Sequence, residues 1–361
     1  MTILFVGGED LDFTFVGNSL AYSSNFVFVD TTAGRFRAGY ARYGINFNTN
    51  GVGNGAPFNT NYMRAILPTP TTQFWFTGRV YAITGPSSGA AGLRIRDVNG
   101  LERLRIANTS TGTGGPYSVN TVNTVGTAVS LGNTLGGFSS SPTVADKLDV
   151  FINYVATATV NLVIYINGTL VFTYTGDITT NGITALSMID MGAFTYVTGF
   201  GGGTPLAVWS EVIVSTVDTR ALNLITQAAS ANGNTHNWDS GTASNIANND
   251  MTVGDATPNY SLTAGQIQEY TVTPGLPAGN FSIVSVAHKF RGVTGVVGPS
   301  KVDDMIRVGG TDYASSDITM APGYLTYVNF WNLNPNTGVA WSTADIVASS
   351  TAYNYGLKSV T

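Results

Sequence analysis

The sequence predicts an all-β protein made of two successive sandwich domains. Its 361 residues suffice for two domains of ordinary size, each with a core that needs neither metal nor disulfide. Charged residues make up only 10% of the chain, against a typical share of about 25%, and glycine is enriched, with 43 residues. The helix formers Glu, Lys, Gln and Arg are scarce. β-Branched and aromatic residues are abundant and stand between Gly, Asn and Pro punctuation.

The elements follow in chain order. Residues 72–80, with Trp75 between Phe74 and Phe76, suit a strand buried on at least one face. Residues 93–106 alternate apolar and polar on both sides of Asn99-Gly100, which predicts a β-hairpin closed by a type I′ turn. A second hairpin runs over 162–166, turns at Asn167-Gly168 and returns over 169–174. The strand signature recurs at 208–214 and stops at Asp218-Thr219-Arg220. Segments 46–60 and 108–141 are so rich in Gly, Asn, Ser and Thr that they read as long surface loops. Residues 199–205 read as a connection, since a phosphate loop needs a following helix and usually a lysine.

After a polar loop at 230–250, a second set of strands is expected at 268–272, 281–290, 304–308, 324–333 and 355–360. Their spacing, with Pro and Gly mostly between the runs, suggests a smaller, immunoglobulin-like sandwich. Ser342 to Asp345 has the spacing of a capping box and reads as the start of one helical turn.

Charge and cysteine content exclude several functions. With a net charge of -5 and only four lysines, the chain has no basic stripe to neutralise phosphates, so neither nucleic acid nor an anionic membrane surface is an expected partner. No apolar run reaches the length of a membrane span, and the first eight residues lack the basic region of a signal peptide, which leads us to expect a soluble protein made in the cytoplasm. The absence of cysteine excludes disulfides, thiolate catalysis and Cys-type zinc sites. Low charge on many β-formers favours a surface partly covered by neighbours, as in a homo-oligomer.

Candidates for chemistry are sparse. Of the two histidines, His288 shares a strand face with Val284, Val286 and Phe290 and reads as a histidine partly buried at a sheet end. His236 lies beside Trp238 and Asp239 in a polar loop, where a sugar could stack on the indole while His236 and Asp239 hydrogen-bond it. The other tryptophans, Trp75, Trp209, Trp331 and Trp341, lie in or beside apolar phrases and are expected to fill cores. Glycosidase chemistry needs paired carboxylates on one face; the closest approach, Glu9-Asp10-Leu11-Asp12, lacks the third acid of such a motif. Asp303-Asp304 with Arg307 reads as a local ion pair. Calcium could be held by loop oxygens, with Asp10, Asp12, Asp97, Asp190 and Asp218 as candidates, although no dense acidic spacing occurs.

The opening phrase Phe5 to Phe13 and the closing phrase Asn334 to Ser342 resemble virion structural proteins of tailed bacteriophages. Residues 148–154 followed by 163–171 resemble the central hairpin of a concanavalin-A-like or laminin-G-like jelly roll, and 208–214 is similar to its last strand. The resemblance implies a jelly-roll domain over residues 1–218 and an immunoglobulin-like sandwich over 219–361. It further implies a non-enzymatic structural component of the virion, as tail fibre, appendage or tail or head decoration, assembled with other virion proteins in the host bacterial cytoplasm. The alternative is a carbohydrate-binding module that recognises host-surface glycan.

Overall fold

The computed structural model describes residues 3–7, 14–16, 27–30, 44–48, 62–83, 90–108, 116–122, 128–135, 145–154, 162–176, 185–194, 206–225, 227–241, 258–273, 276, 282–323, 325–346 and 353–361. The chain forms two compact units, Met1–Leu224 and Ile225–Thr361, and the described residues contain strands and turns but no helix.

In the first unit the strands are β1 (Ile3–Gly7), β2 (Thr14–Val16), β3 (Val27–Asp30), β4 (Gly44–Asn48), β5 (Tyr62–Thr71), β6 (Gln73–Ile83), β7 (Ala90–Asp97), β8 (Glu102–Asn108), β9 (Tyr117–Val122), β10 (Ala128–Asn133), β11 (Asp146–Asn153), β12 (Leu162–Ile166), β13 (Thr169–Tyr174), β14 (Leu186–Phe194) and β15 (Leu206–Ser215). They build a jelly-roll sandwich. One sheet runs β13-β12-β11-β6-β15-β4-β3, with β1 also on β15, and the other runs β10-β9-β8-β7-β14-β5-β2. Phe74, Phe76, Val150 and Trp209 from the first sheet meet Leu93, Ile95, Leu104 and Ile189 from the second in a single core. Strand alternation therefore sends the intervening residues to the outside of each sheet.

The two Asn-Gly hairpins differ. Asn167 and Gly168 both have positive φ, 50° and 78°, as a type I′ turn requires. At the other hairpin only Gly100 is left-handed, with φ 77°. There the carboxylate of Asp97 accepts from the N–H of Asn99 (2.9 Å) and of Leu101 (3.0 Å), so a wider turn replaces the expected type I′. The register shifts between Ile95 and Arg96, and Arg103 becomes the extra residue of a bulge.

Glu211 is a buried non-glycine residue with φ 49°. It lies in the bulge between Ser210 and Ile213. Before it β15 pairs with β4 through Trp209; from Val212 onward it pairs with β1 instead. The strained backbone marks this exchange of partners, and Arg79 sits 3.2 Å from the carboxylate.

Residues 219–224 belong to the first unit, beyond the expected boundary at 218, because buried polar contacts tie them to its outer face. Thr219 is fully buried, 2.5 Å from the Thr77 hydroxyl, which also donates to Asp149. The Lys147 ammonium donates to the carbonyls of Arg220 (2.5 Å) and Leu222 (3.1 Å). Trp75 does not fill the core but lies on this outer face. Its ring stacks 6.4 Å from that of Tyr165, and the Arg220 guanidinium covers both at 5.1 and 4.6 Å.

Burial pushes the Asp149 carboxyl above the ordinary carboxylate range, against the opposing pull of Thr77 and Lys147. A raised folded value means that the contribution of this group to stability is fully present below the unfolded value of about 3.9 and is lost as pH rises through the folded one. Asp149→Asn, a neutral stand-in for the protonated acid, should therefore melt close to the wild type in acid and above it at neutral pH. Thermal melts from about pH 3 to about pH 7 check this, and a gap that does not widen with pH would sink it.

The second unit contains β16 (Ala228–His236), β17 (Ile267–Thr273), β18 (Val286–Gly292), β19 (Lys301–Val308), β20 (Thr311–Ala314), β21 (Ile318–Thr319), β22 (Leu325–Trp331) and β23 (Tyr353–Val360). One sheet runs β16-β17-β23-β19-β20, with β21 on β19, and faces the pair β18-β22. Val272, Ile306, Val308, Trp341, Ile346 and Tyr353 form its core, with Val286 and Trp331 packed against them. At Gly356 an added Cβ would overlap the Gln268 carbonyl, so β23 approaches β17 as only glycine permits.

Two segments expected to be loops contain strands. The polar segment from Ser230 begins inside β16, which among the described residues pairs only with β17, through two register shifts. Within 108–141 lie β9 and β10, where Tyr117, Val119 and Val122 are buried. At Ser342 the N–H and hydroxyl both donate to the Asp345 carboxylate, while the Asp345 N–H donates to the Ser342 carbonyl (3.1 Å), so a hydrogen-bonded turn with half of a capping box stands in place of the expected start of a helical turn. Of the further expected loop at 46–60, residues 46–48 belong to β4 and 49–60 lie outside the described residues, as does segment 199–205.

Candidate functional site

The outer face of the seven-stranded sheet carries a polar row that crosses it from strand to strand. Arg64 on β5 pairs with Asp190 on β14, which pairs with Arg94 on β7, then Arg105 on β8, Asn120 on β9 and Ser130 on β10. The first five alternate with core residues of their own strands: Ala65, Ile189, Leu93, Leu104 and Val119 all face inward. Five inter-strand steps of about 4.8 Å give a track roughly 24 Å long, perpendicular to the strands.

Two carboxylates order the guanidinium groups. Asp190, fully covered, accepts from Arg64 Nε (2.7 Å) and Nη2 (3.1 Å) and from Arg96 Nε (2.5 Å). Glu102 lies between Arg94, at 3.6 Å, and Arg105, whose Nε donates to it. Arg64, Arg96 and Arg105 keep 16–18% of their side chains in solvent, whereas Arg94 keeps 4%. Burial lowers the Arg94 guanidinium to about 10, with Glu102 pulling the other way, so it remains cationic at neutral pH. Four cations against two anions leave this face positive among the described residues, on a chain whose net charge is -5.

Beside Arg105, Asn120 is only 7% exposed, and its Nδ2 meets no acceptor among the described residues. A buried amide donor without a partner costs about 1–3 kcal/mol. A ligand oxygen placed here would recover it. The row can thus hold a carboxylate or hydroxyl between Arg105 and Asn120, with further cations on either side. Among its described members the solvent-facing ionised groups are mainly guanidiniums, and both histidines of the chain, His236 and His288, belong to residues 225–361. The first unit therefore contributes no imidazole of its own to this face.

The sites expected from sequence lie elsewhere. His236 is exposed at the end of β16. The Trp238 indole N–H donates to the Gln266 carbonyl (3.2 Å), and the Asp239 carboxylate accepts from the Leu262 N–H (2.7 Å). Trp238 and Asp239 thus fasten their loop to its own domain. Of the calcium candidates, Asp10 and Asp12 lie outside the described residues, Asp97 is paired with Arg103, Asp190 with Arg64 and Arg96, and Asp218 with Arg220. Hydrogen bonds from Arg220 hold the Asp218 carboxyl below the ordinary range. Among the described residues no group of three or more His, Asp or Glu side chains converges as a metal site would.

The expected local ion pair at Asp303, Asp304 and Arg307 does not form. Arg307 pairs with Asp312, and Asp303 lies 3.8 Å from Lys358. Asp304 points between the sheets, where His288 Nδ1, Asn329 Nδ2 (2.8 Å) and Trp331 Nε1 (2.6 Å) converge on it. Sequence reasoning singled out the arginine hairpin for its turn and missed its charge. The signal was present as Arg94-x-Arg96 facing Arg103-x-Arg105, but which lone residues on β5, β9 and β14 extend the row depends on the sheet order.

No protein-family model matches the chain, and no curated protein matches it. Among solved structures it is similar to an endo-β-1,4-glucuronan lyase from the fungus Trichoderma reesei, at 14% identity over 60% of this chain and 96% of that one, with a TM-score of 0.42. It is also similar to the family 7 alginate lyase A1-II′, at 14% identity over 59% and 93%, TM-score 0.37, and to the alginate lyase Aly36B, at 11% over 50% and 87%, TM-score 0.34. These findings correct the expectation of a non-enzymatic virion component, because these similar structures are named as polysaccharide lyases. At such values the likeness assigns no reaction or substrate to this chain.

Proposed function

We propose that the protein is active on an acidic polysaccharide, which it takes along the arginine row of the seven-stranded sheet. The observation that carries this reading is the unpartnered, buried Asn120 amide beside Arg105, within a cationic track that crosses six strands. A polymer with repeated carboxylates offers both an acceptor for Asn120 and counter-charges for the guanidiniums. A single small anion would use only part of the track.

Affinity electrophoresis with alginate, polyglucuronate and neutral dextran tests the reading. The acidic polymers should retard the protein in a salt-dependent way and dextran should not. Arg105→Ala should weaken retention by about tenfold, since a hydrogen bond to a charged group contributes roughly 1.5 kcal/mol or more. Ultraviolet absorbance of unsaturated uronate ends, recorded on the same mixtures, reads any eliminative cleavage. Equal retention by dextran, or an Arg105→Ala variant that folds and binds as the wild type does, would overturn the proposal.

A further inference from the structure

We infer that Asn99 is a site of spontaneous deamidation, and that its conversion lowers the cationic strength of the arginine row; the second half rests on the function proposed above. Asn99 is exposed at the tip of the β7-β8 hairpin, and its side-chain amide makes no hydrogen bond among the described residues. It is followed by Gly100, where no side chain hinders approach of the backbone nitrogen and an added Cβ would meet nothing within 4 Å. The one bond that must open first is that from the Gly100 N–H to the Asp97 carbonyl, 3.0 Å, in an exposed turn.

The chemistry needs only water. The Gly100 nitrogen attacks Asn99 Cγ, the new N–Cγ bond closes a succinimide, and the Cγ–Nδ2 bond breaks; the displaced amide leaves as ammonia with the proton from Gly100. Water then opens the ring at either carbonyl and leaves aspartate or isoaspartate. Both add a negative charge at the hairpin tip, and isoaspartate lengthens the main chain by one carbon. The Gly100 carbonyl is an acceptor for Arg96 Nη1 (2.9 Å), and Arg96 is one of the two arginines clamped on Asp190.

The same dipeptide at Asn167-Gly168 supplies an internal control. There Oδ1 accepts from the Lys147 N–H (2.8 Å) and Nδ2 donates to Asp146 (2.5 Å), so the side chain is held away from the following nitrogen. Asn232-Gly233 lies within β16, in a paired strand.

Peptide-level mass spectrometry of the whole chain after incubation at mildly alkaline pH tests the inference. The peptide containing Asn99 should gain about 1 Da, with isoaspartate as the main product, while the peptide containing Asn167 stays unchanged. An intact Asn99, or conversion at Asn167 as fast as at Asn99, overturns it. Aged wild type should also lose retention on alginate while aged Asn99→Gln keeps it; equal losses would overturn the link to the row. The mass readout stands independently of whether the row binds polysaccharide.

Discussion

Replacing Asp304 by alanine should destabilise the second sandwich by about 3–5 kcal/mol, the cost of removing one partner from a buried charged cluster. Asp304 has no solvent exposure, and its carboxylate receives His288, Asn329 and Trp331 from the facing sheet. Without it the buried His288 and the half-buried Asn329 and Trp331 lose their shared partner at once. Asp304→Asn keeps the shape and one acceptor oxygen, so its loss should be smaller. Amide hydrogen exchange over β18, β19 and β22 is the appropriate readout, because it reports local opening whether or not the other unit unfolds. Protection within about 1 kcal/mol of the wild type in Asp304→Ala would refute the cluster as a stabilising element.

Asp190→Ala should cost the first sandwich a comparable amount, about 3–5 kcal/mol, and should weaken acidic-polysaccharide retention by more than tenfold. The carboxylate separates the guanidiniums of Arg64 and Arg96, which stand on strands either side of β14. Once it is gone, two cations face each other across a strand with no anion between them, and both turn toward water. The row then loses its spacing as well as its order. Affinity electrophoresis with alginate, alongside a denaturant melt, separates the two effects. A folded Asp190→Ala protein that binds within twofold of the wild type would show that the row does not place the polymer.

Local pattern made much of the fold legible. Residues 162–174 become β12 and β13 with a type I′ turn because the alternation and the Asn-Gly pair demand the same geometry. Asn99-Gly100 carries the same dipeptide yet forms a different turn, since Asp97, two residues earlier, captures the N–H groups of Asn99 and Leu101. β16 was illegible for a different reason. An edge strand paired on one side buries little, so Ala, Ser, Asn and Gly can form it without the apolar alternation that marks a strand in sequence. The candidate site was legible only on β7 and β8. Arg64 and Asp190 are the lone charged residues of β5 and β14, Asn120 is one of several polar residues on β9, and only the order β9-β8-β7-β14-β5 makes them neighbours.

The position of β15 has a consequence for how the chain reaches its native state. It is the last strand of the first unit, yet it lies inside the eight-stranded sheet, bonded to β6 on one side and to β4 and β1 on the other. Until it arrives, β6 with β11 to β13 and β3 with β4 have no strand to join them. At a synthesis rate of roughly 5–20 residues per second, β1 waits about 10–40 s for its partner. During that time the edges of β6 and β4 are open to pairing with other nascent chains, so yield on overexpression should be set by the delivery of residues 206–215 and not by the stability of the finished sandwich.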